Sequence, residues 1–352
     1  MTSKSKRLSN IVIIRLILIF LLVFFHAFAI YSGAWAPIDG FPEIKTYWWL
    51  DKLSFAFMLE MFVFISGYLL GFQVRIKGEE KLRAKAFFWG KFKRLMIPCL
   101  VFSLLYIIIF EEIKQPVIST AYDLLNGAGH MWFLPMLFWC FAATWIIEKM
   151  SFPPKWVIPI LLVFSLVSFL PSPLRITRAM YYMPFFYIGY ILQKNDICLE
   201  QFYTLKHGIL ATFSFLVLFY VMTLLRENIA SIIDVKSIYN QVAIKAFLLA
   251  VSKLLQITYA IVGLCMLLVW VGYGENKLKN PVSGWILNLG NLCFGVYIFQ
   301  QFILQGLYEY TILPDVLGCY WLPWVGFGIS LLGSISLSYV FRLTKIGRFF
   351  IG

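Results

Sequence analysis

An arginine and a histidine stand eleven positions apart in RLILIFLLVFFHAF, Arg15 to Phe28, with ten apolar residues between them. A guanidinium is a permanent cation that can hold an anionic group, and an imidazole is the side chain best suited to accept a proton near neutral pH. Eleven residues at about 100° each make three turns plus roughly 20°, so a helix sets both on one face, about 16 Å apart in height. Taken singly, Arg15 snorkels to a headgroup layer and His26 packs as a neutral ring. Taken together, they suggest a polar path through an apolar layer with a working group at each end.

Three further groups extend this chemistry. In FMLEMFVFISGYLLG, Glu60 stands among Phe, Met and Leu, where a carboxylate is costly unless it is partnered. A His–carboxylate pair is a common general base, because the acid fixes the tautomer and raises the basicity. The plainer alternative for such a pair is structural. In KFKRLMIP, Lys91 and Arg94 are spaced i, i+3 and share a face if a helix starts early. With Arg15 they would form a cationic cluster suited to a phosphate-rich ligand, unless they are ordinary charge of a cytoplasmic loop. In GHMWFLPMLF, His130 and Trp132 open an apolar segment, where Trp132 can stack on a sugar ring or belong to an interfacial belt. Arg178 is a further candidate on the same side. Lys253 reads as structural or cavity-lining, and His207 lies at a helix end. No P-loop, no dinucleotide glycine motif and no metal-ligand spacing is present, and the six cysteines give no disulfide framework.

These groups need elements that hold them inside a lipid layer. The 352 residues are 61% hydrophobic and only 13% charged, far less charged than a soluble domain of this length. Apolar runs of about 20 residues recur from end to end without the period-2 alternation of a barrel, which predicts an all-α polytopic membrane protein. Ten spans are expected at 9–30, 50–72, 95–112, 131–147, 155–170, 180–193, 208–224, 246–272, 286–308 and 322–340. Of the 30 basic residues, 20 fall in the N-terminal tail, the C-terminal tail and the loops on their side, and 8 on the other (Lys45, Lys52, Lys114, Arg175, Arg178, Arg226, Lys236 and Lys245). The positive-inside rule therefore predicts both termini in the cytoplasm. It also explains the net charge of +13 by anionic lipid rather than nucleic acid. Residues 311–321, with Cys319, are expected as an outer loop. The basic tail, apolar run and Ala27-Phe28-Ala29 resemble a signal peptide, but the apolar segment continues and reads as an uncleaved first helix.

At this point the chain resembles the acyltransferase type 3 family of integral-membrane acyltransferases. Arg15 and His26 match the family's first-helix motif in spacing, and LEMFVFISGYLL places Glu60 on its acidic position. KFKRLMIP resembles the basic-x-x-Arg motif before a proline, mapping onto Lys91, Arg94 and Pro98, and GHMWFLPMLF resembles the His-x-Trp-Phe-Leu segment. YMPFFYIGYIL, NLCFGVYIFQQ and TKIGRFFIG are similar to later segments. Lys91 departs from the usual arginine, and Gln300 and Gln301 stand where a histidine is common.

The resemblance implies one membrane domain over residues 1–352 without a soluble C-terminal domain, in a bacterial-type inner (cytoplasmic) membrane. It implies transfer of an acyl group, usually acetyl, from cytoplasmic acyl-CoA to a hydroxyl of a surface carbohydrate or glycolipid. Arg15, Lys91 and Arg94 would hold the donor, His26 with Glu60 would activate the hydroxyl, and His130, Trp132 and Arg178 would receive the acceptor. The rival class is a transporter or flippase of a lipid-linked or polysaccharide substrate. Such folds are commonly built from repeated halves with interrupted helices, and no such symmetry is visible here.

Overall fold

The computed structural model describes residues 3–111, 117–170, 172–234, 241–277 and 283–351. Among them there are helices and no strand. In chain order the α-helices are α1 Ser3–Ser32, α2 Lys45–Phe55, α3 Met58–Lys77, α4 Ala84–Lys91, α5 Ile97–Phe110, α6 Val117–Asn126 and α7 Phe133–Met150. They continue as α8 Pro154–Leu166, α9 Ile176–Lys194, α10 Leu205–Ile233, α11 Val242–Lys277, α12 Gly284–Tyr310, α13 Leu313–Leu343 and α14 Lys345–Ile351. Lys114, Lys236 and Lys279 lie outside the described residues, as do the side chains of Lys4, Lys6 and Arg7.

Eight helical segments are long and apolar enough to cross a membrane: Asn10–Ser32, Lys45–Lys77, Ala84–Phe110, Gly129–Met150, Leu205–Ile233, Val242–Lys277, Gly284–Tyr310 and Leu313–Leu343. They correspond to eight of the ten expected spans. The other two expected segments are helical as well. α8 has 13 residues and is about 20 Å long, short of the ~30 Å hydrocarbon layer. α9 has 19 residues, but Arg178, Gln193, Lys194 and four tyrosines dilute its apolar character. Several residues assigned to outer connections lie inside helices, among them Lys45 and Lys52 in α2 and Lys245 in α11. Arg226, assigned to an outer connection, lies inside α10, because the helix continues to Ile233 beyond the last strongly apolar residue. Cys319, assigned to a loop, lies inside α13 beside a kink at Gly318, whose φ of 63° is left-handed.

The chain forms two compact units, residues 1–58 with 274–352, and residues 59–273. In the first, α1 packs on α2, α12 and α13. α1 runs without glycine or proline until Gly33, whose φ of 76° closes it as a left-handed C-terminal cap. Its apolar side forms a core of Ala27, Phe28 and Ile30 with Leu304, Tyr308 and Leu322. The Tyr308 hydroxyl donates to the Ala27 carbonyl at 2.8 Å. Aromatic side chains gather at this end: Trp324 Nε1 donates to Tyr47 Oη at 3.1 Å, and Tyr47 donates to the Tyr320 carbonyl at 2.9 Å.

In the second unit, α3 and α9 run parallel and touch through backbone. A Cβ on Gly67 would lie inside contact distance of the Phe186 carbonyl, one on Gly71 would meet the Tyr190 carbonyl, and one on Gly189 would meet the Phe64 carbonyl. In lipid, where apolar burial does not drive helices together, close approach through small residues is a main source of association. This contact fixes the register that brings Tyr181 to Glu60 at one end of α3, and Tyr190 and Lys194 to the other. Gly67→Val should therefore lower the thermal midpoint of the purified protein, with an overpacking cost of about 1–3 kcal/mol. An unchanged midpoint would contradict the close α3–α9 contact.

Candidate functional site

In the first unit, His26 is 7% exposed and sits on the side of α1 that faces α12. Its Nδ1 is 3.1 Å from Gln300 Oε1, and the ring also bonds to the backbone of Leu22, one turn earlier. With the Gln300 amide oxygen accepting from Nδ1–H, Nε2 is the basic nitrogen. Trp35 stacks on the imidazole with centroids 5.8 Å apart. Gln300 is itself held, since Ser330 Oγ donates to its backbone carbonyl at 2.8 Å. Sequence reasoning gave the orienting role to Glu60 and missed Gln300. The available signal was two adjacent glutamines, Gln300 and Gln301, inside the apolar run VYIFQQFIL.

Arg15 lies eleven residues before His26 on the same uninterrupted helix, so the 16 Å spacing expected from the sequence holds. It is half-buried, near Cys293 of α12, and makes no ion pair among the described residues. A guanidinium with its fork unengaged at the edge of an apolar helix is poised for an anion.

In the second unit, Glu60 is 1% exposed in the first turn of α3. Tyr181 Oη donates to Glu60 Oε1 at 2.7 Å, while Oε2 is buried with no hydrogen-bond partner among the described residues. Sequence reasoning missed Tyr181 because 121 positions separate the two. Trp132 and Arg178, expected together on the acceptor side, do come together: the guanidinium lies over the indole at 4.3 Å from its centroid. Both come from irregular starts, Trp132 from the 3-10 turn Gly129–Trp132 ahead of α7 and Arg178 from the first turn of α9. His130 belongs to the same turn but packs elsewhere, buried against Tyr106 at 6.4 Å between centroids. Gly129, with φ of 51°, lies against the Tyr106 ring, where a Cβ would be 2.6 Å away.

About 22 Å further along α3 lies a second polar group. Lys91 and Arg94 share one cavity of about 370 Å³ with Gln73, Lys77, Glu80, Lys81, Phe87 and Gly90. The helix does start early, as α4, and passes through a π-helical turn at Phe92–Met96 before α5. That wider turn, a feature frequent at functional sites, sets the two cations on one cavity wall. Lys91 Nζ lies 3.5 Å from the Phe141 ring centroid, which holds its stem. Four cations, Lys77, Lys81, Lys91 and Arg94, line the cavity, and the carboxylate of Glu80 pairs with Arg83 at 3.2 Å. Burial, with Lys77 and Arg94 beside it, holds the Lys81 ammonium below its ordinary pKa. An anion in the cavity would relieve that repulsion. Nearby, Arg75 pairs with Asp196, and Lys194 with Glu148, both fixing α9 at this end.

An acyltransferase type 3 domain, described as an acyltransferase domain, matches residues 8–343. The chain belongs to that family. The match covers nearly all of the protein and includes every candidate residue above. No curated protein matches the chain, and no solved structure matches it. Membership of the acyltransferase type 3 family, with eight apolar helices long enough to span a bilayer, makes this a membrane acyltransferase.

Proposed function

We propose that the protein moves an acyl group, most simply acetyl, from cytoplasmic acyl-CoA to a hydroxyl of a surface glycan or glycolipid. The single observation that carries this reading is His26, buried in an apolar helix with Nδ1 committed to the amide oxygen of Gln300. That arrangement serves a base acting through Nε2. His26 takes the proton of the acceptor hydroxyl, and the oxygen attacks the thioester carbonyl carbon. In the net reaction a C–O bond forms, the C–S bond breaks, and the proton passes to the CoA sulfur. Nothing in this balance decides between direct transfer and a covalent intermediate.

Lys91 and Arg94, on the wall of their cavity, bind the donor's phosphates, and Arg15 joins them in that role. The pairing of Glu60 with His26, and the grouping of Arg15 with Lys91 and Arg94, rest on matched depths in the sequence. Trp132 stacks on a sugar of the acceptor with Arg178 beside it, and His130 lines the approach. Cells with and without the protein should differ in alkali-labile acyl esters on lipid-linked or surface glycans. Identical ester content would oppose the proposal and favour transport of such a substrate.

The same reading has ten spans, α8 and α9 included, in an inner membrane of bacterial type with both termini cytoplasmic. The support is the basic asymmetry of the connections and the parallel course of α3 and α9. Reporter fusions at the C-terminus should then be active only as cytoplasmic reporters. A periplasmic C-terminus would reverse the side assigned to every site.

A further inference from the structure

Beyond the groups assigned above, α10 and α11 bring a set of charges to the Glu60 end of the second unit. Arg226 is gripped by α11: Nε donates to Ser252 Oγ at 3.2 Å, Nη1 to Tyr259 Oη at 2.6 Å and Nη2 to Gln256 Oε1 at 3.3 Å. Lys253, on the same stretch of α11, lies over the Tyr181 ring at 4.8 Å. The charges of Arg226, Arg178 and Glu60 all reach Lys253. Tyr181 bridges to Glu60, and Tyr182 packs on Tyr181 at 4.8 Å and on Trp132 at 6.4 Å. Arg226 and Lys253 thus lie near the one carboxyl group of Glu60, with Arg178 close to Lys253.

None of Arg178, Arg226 and Lys253 forms an ion pair among the described residues. Thr223, on the α10 face that carries Arg226, keeps a buried hydroxyl without a partner among the described residues. Helices that cross lipid carry cations rarely, and then for a partner, a ligand or a charge in transit. Arg226 is pre-organised by its three neutral acceptors, so its remaining N–H groups point in a fixed fork suited to a planar or tetrahedral oxyanion. Lys253 supplies a second, mobile positive charge. Arg178 adds a third beside Trp132, the residue proposed to stack on the acceptor sugar.

We infer that the acceptor is an anionic glycan, whose phosphate or carboxylate is held by Arg226 and Lys253, with Arg178 at the rim, while a neighbouring sugar rests on Trp132. This rests on the reading of the chain as a glycan acyltransferase and narrows its substrate class. It also gives Lys253 and Arg226 a role beyond positive-inside charge and their packing against Tyr181 and α11.

The test compares three short amphiphiles on the purified full chain in an uncharged detergent at low salt: octyl glucoside, octyl glucuronide and octyl phosphate. Binding is read by titration, and CoA binding is measured on every variant as a check of folding. The glucuronide or the phosphate should bind at least about 10-fold more tightly than the glucoside. A preference for the first identifies an acidic sugar, and for the second a lipid-carrier phosphate. Arg226→Gln and Lys253→Gln should each reduce that preference by about 10-fold, with glucoside and CoA affinities unchanged. Arg226→Lys should recover part of it. Equal binding of charged and neutral probes would overturn the inference. So would a preference untouched by either variant, or one abolished by Lys91→Gln, which would put the probe in the donor cavity. If wild-type protein binds no CoA, the acyl-CoA reading fails, yet the charge preference and its loss in the two variants still decide this inference.

Discussion

Replacing His26 by alanine is expected to lower acyl transfer by about 10²–10⁴-fold, the usual contribution of a positioned general base. The imidazole is buried, its Nδ1 is bonded to Gln300, and the ring also bonds to the backbone of Leu22. Removing it takes away the only proton acceptor that the first helix offers in its apolar half. CoA affinity should stay nearly unchanged, because the ring lies about 16 Å along α1 from Arg15. Gln300→Ala should give a smaller loss in turnover, since the ring keeps its bond to the Leu22 backbone. Gln300→Glu should restore orientation and shift the pH profile of turnover, an effect that a purely structural glutamine would not produce. Rates are read from initial velocities of CoA release on protein shown to be folded. Near wild-type turnover in well-folded His26→Ala would remove the residue from the mechanism.

The second large effect is expected at the donor end. Removing one charge at Lys91, Arg94 or Arg15 should weaken CoA binding by roughly 10- to 150-fold, the equivalent of about 1.5–3 kcal/mol for a charge-assisted hydrogen bond. Arg94 is exposed, so its contribution should shrink as salt rises, since screening acts on charges open to water. The contributions of half-buried Lys91 and Arg15 should shrink less. Titration of CoA into the three variants at two ionic strengths checks this. Equal affinities throughout would mean that these cations are ordinary charge of the cytoplasmic side.

Local patterns in the sequence carried much of this. Apolar runs marked eight segments that are long membrane-type helices, and the spacing of Arg15 and His26 needed only the pitch of one helix. Lys91 and Arg94 are three positions apart, and they do line one cavity. Trp132 and Arg178 were both assigned to the acceptor side, and their contact follows from two helix starts meeting at one end. What escaped the sequence depends on distant partners. Gln300 meets His26 across 274 positions, and Arg226 meets Tyr259 across 33. No period within a single segment encodes such contacts. The seam at Gly67, Gly71 and Gly189 likewise appears only when two helices are placed side by side. Arg226 and Cys319 were misplaced for a simpler reason, because hydropathy ends a segment where apolar residues thin out, while hydrogen-bonded helix continues for further turns.

The central claim is that this membrane protein transfers an acyl group from acyl-CoA by means of His26. It is tested most directly by proteoliposomes holding purified protein, CoA-releasing activity being followed with acetyl-labelled acetyl-CoA in the presence of glycolipid extracted from cells that lack the protein. The account predicts label appearing as an alkali-labile ester in the glycolipid fraction, matched by released CoA, and neither with His26→Ala. Label that stays on CoA with the wild-type protein, or ester formation that persists undiminished in folded His26→Ala, would contradict it.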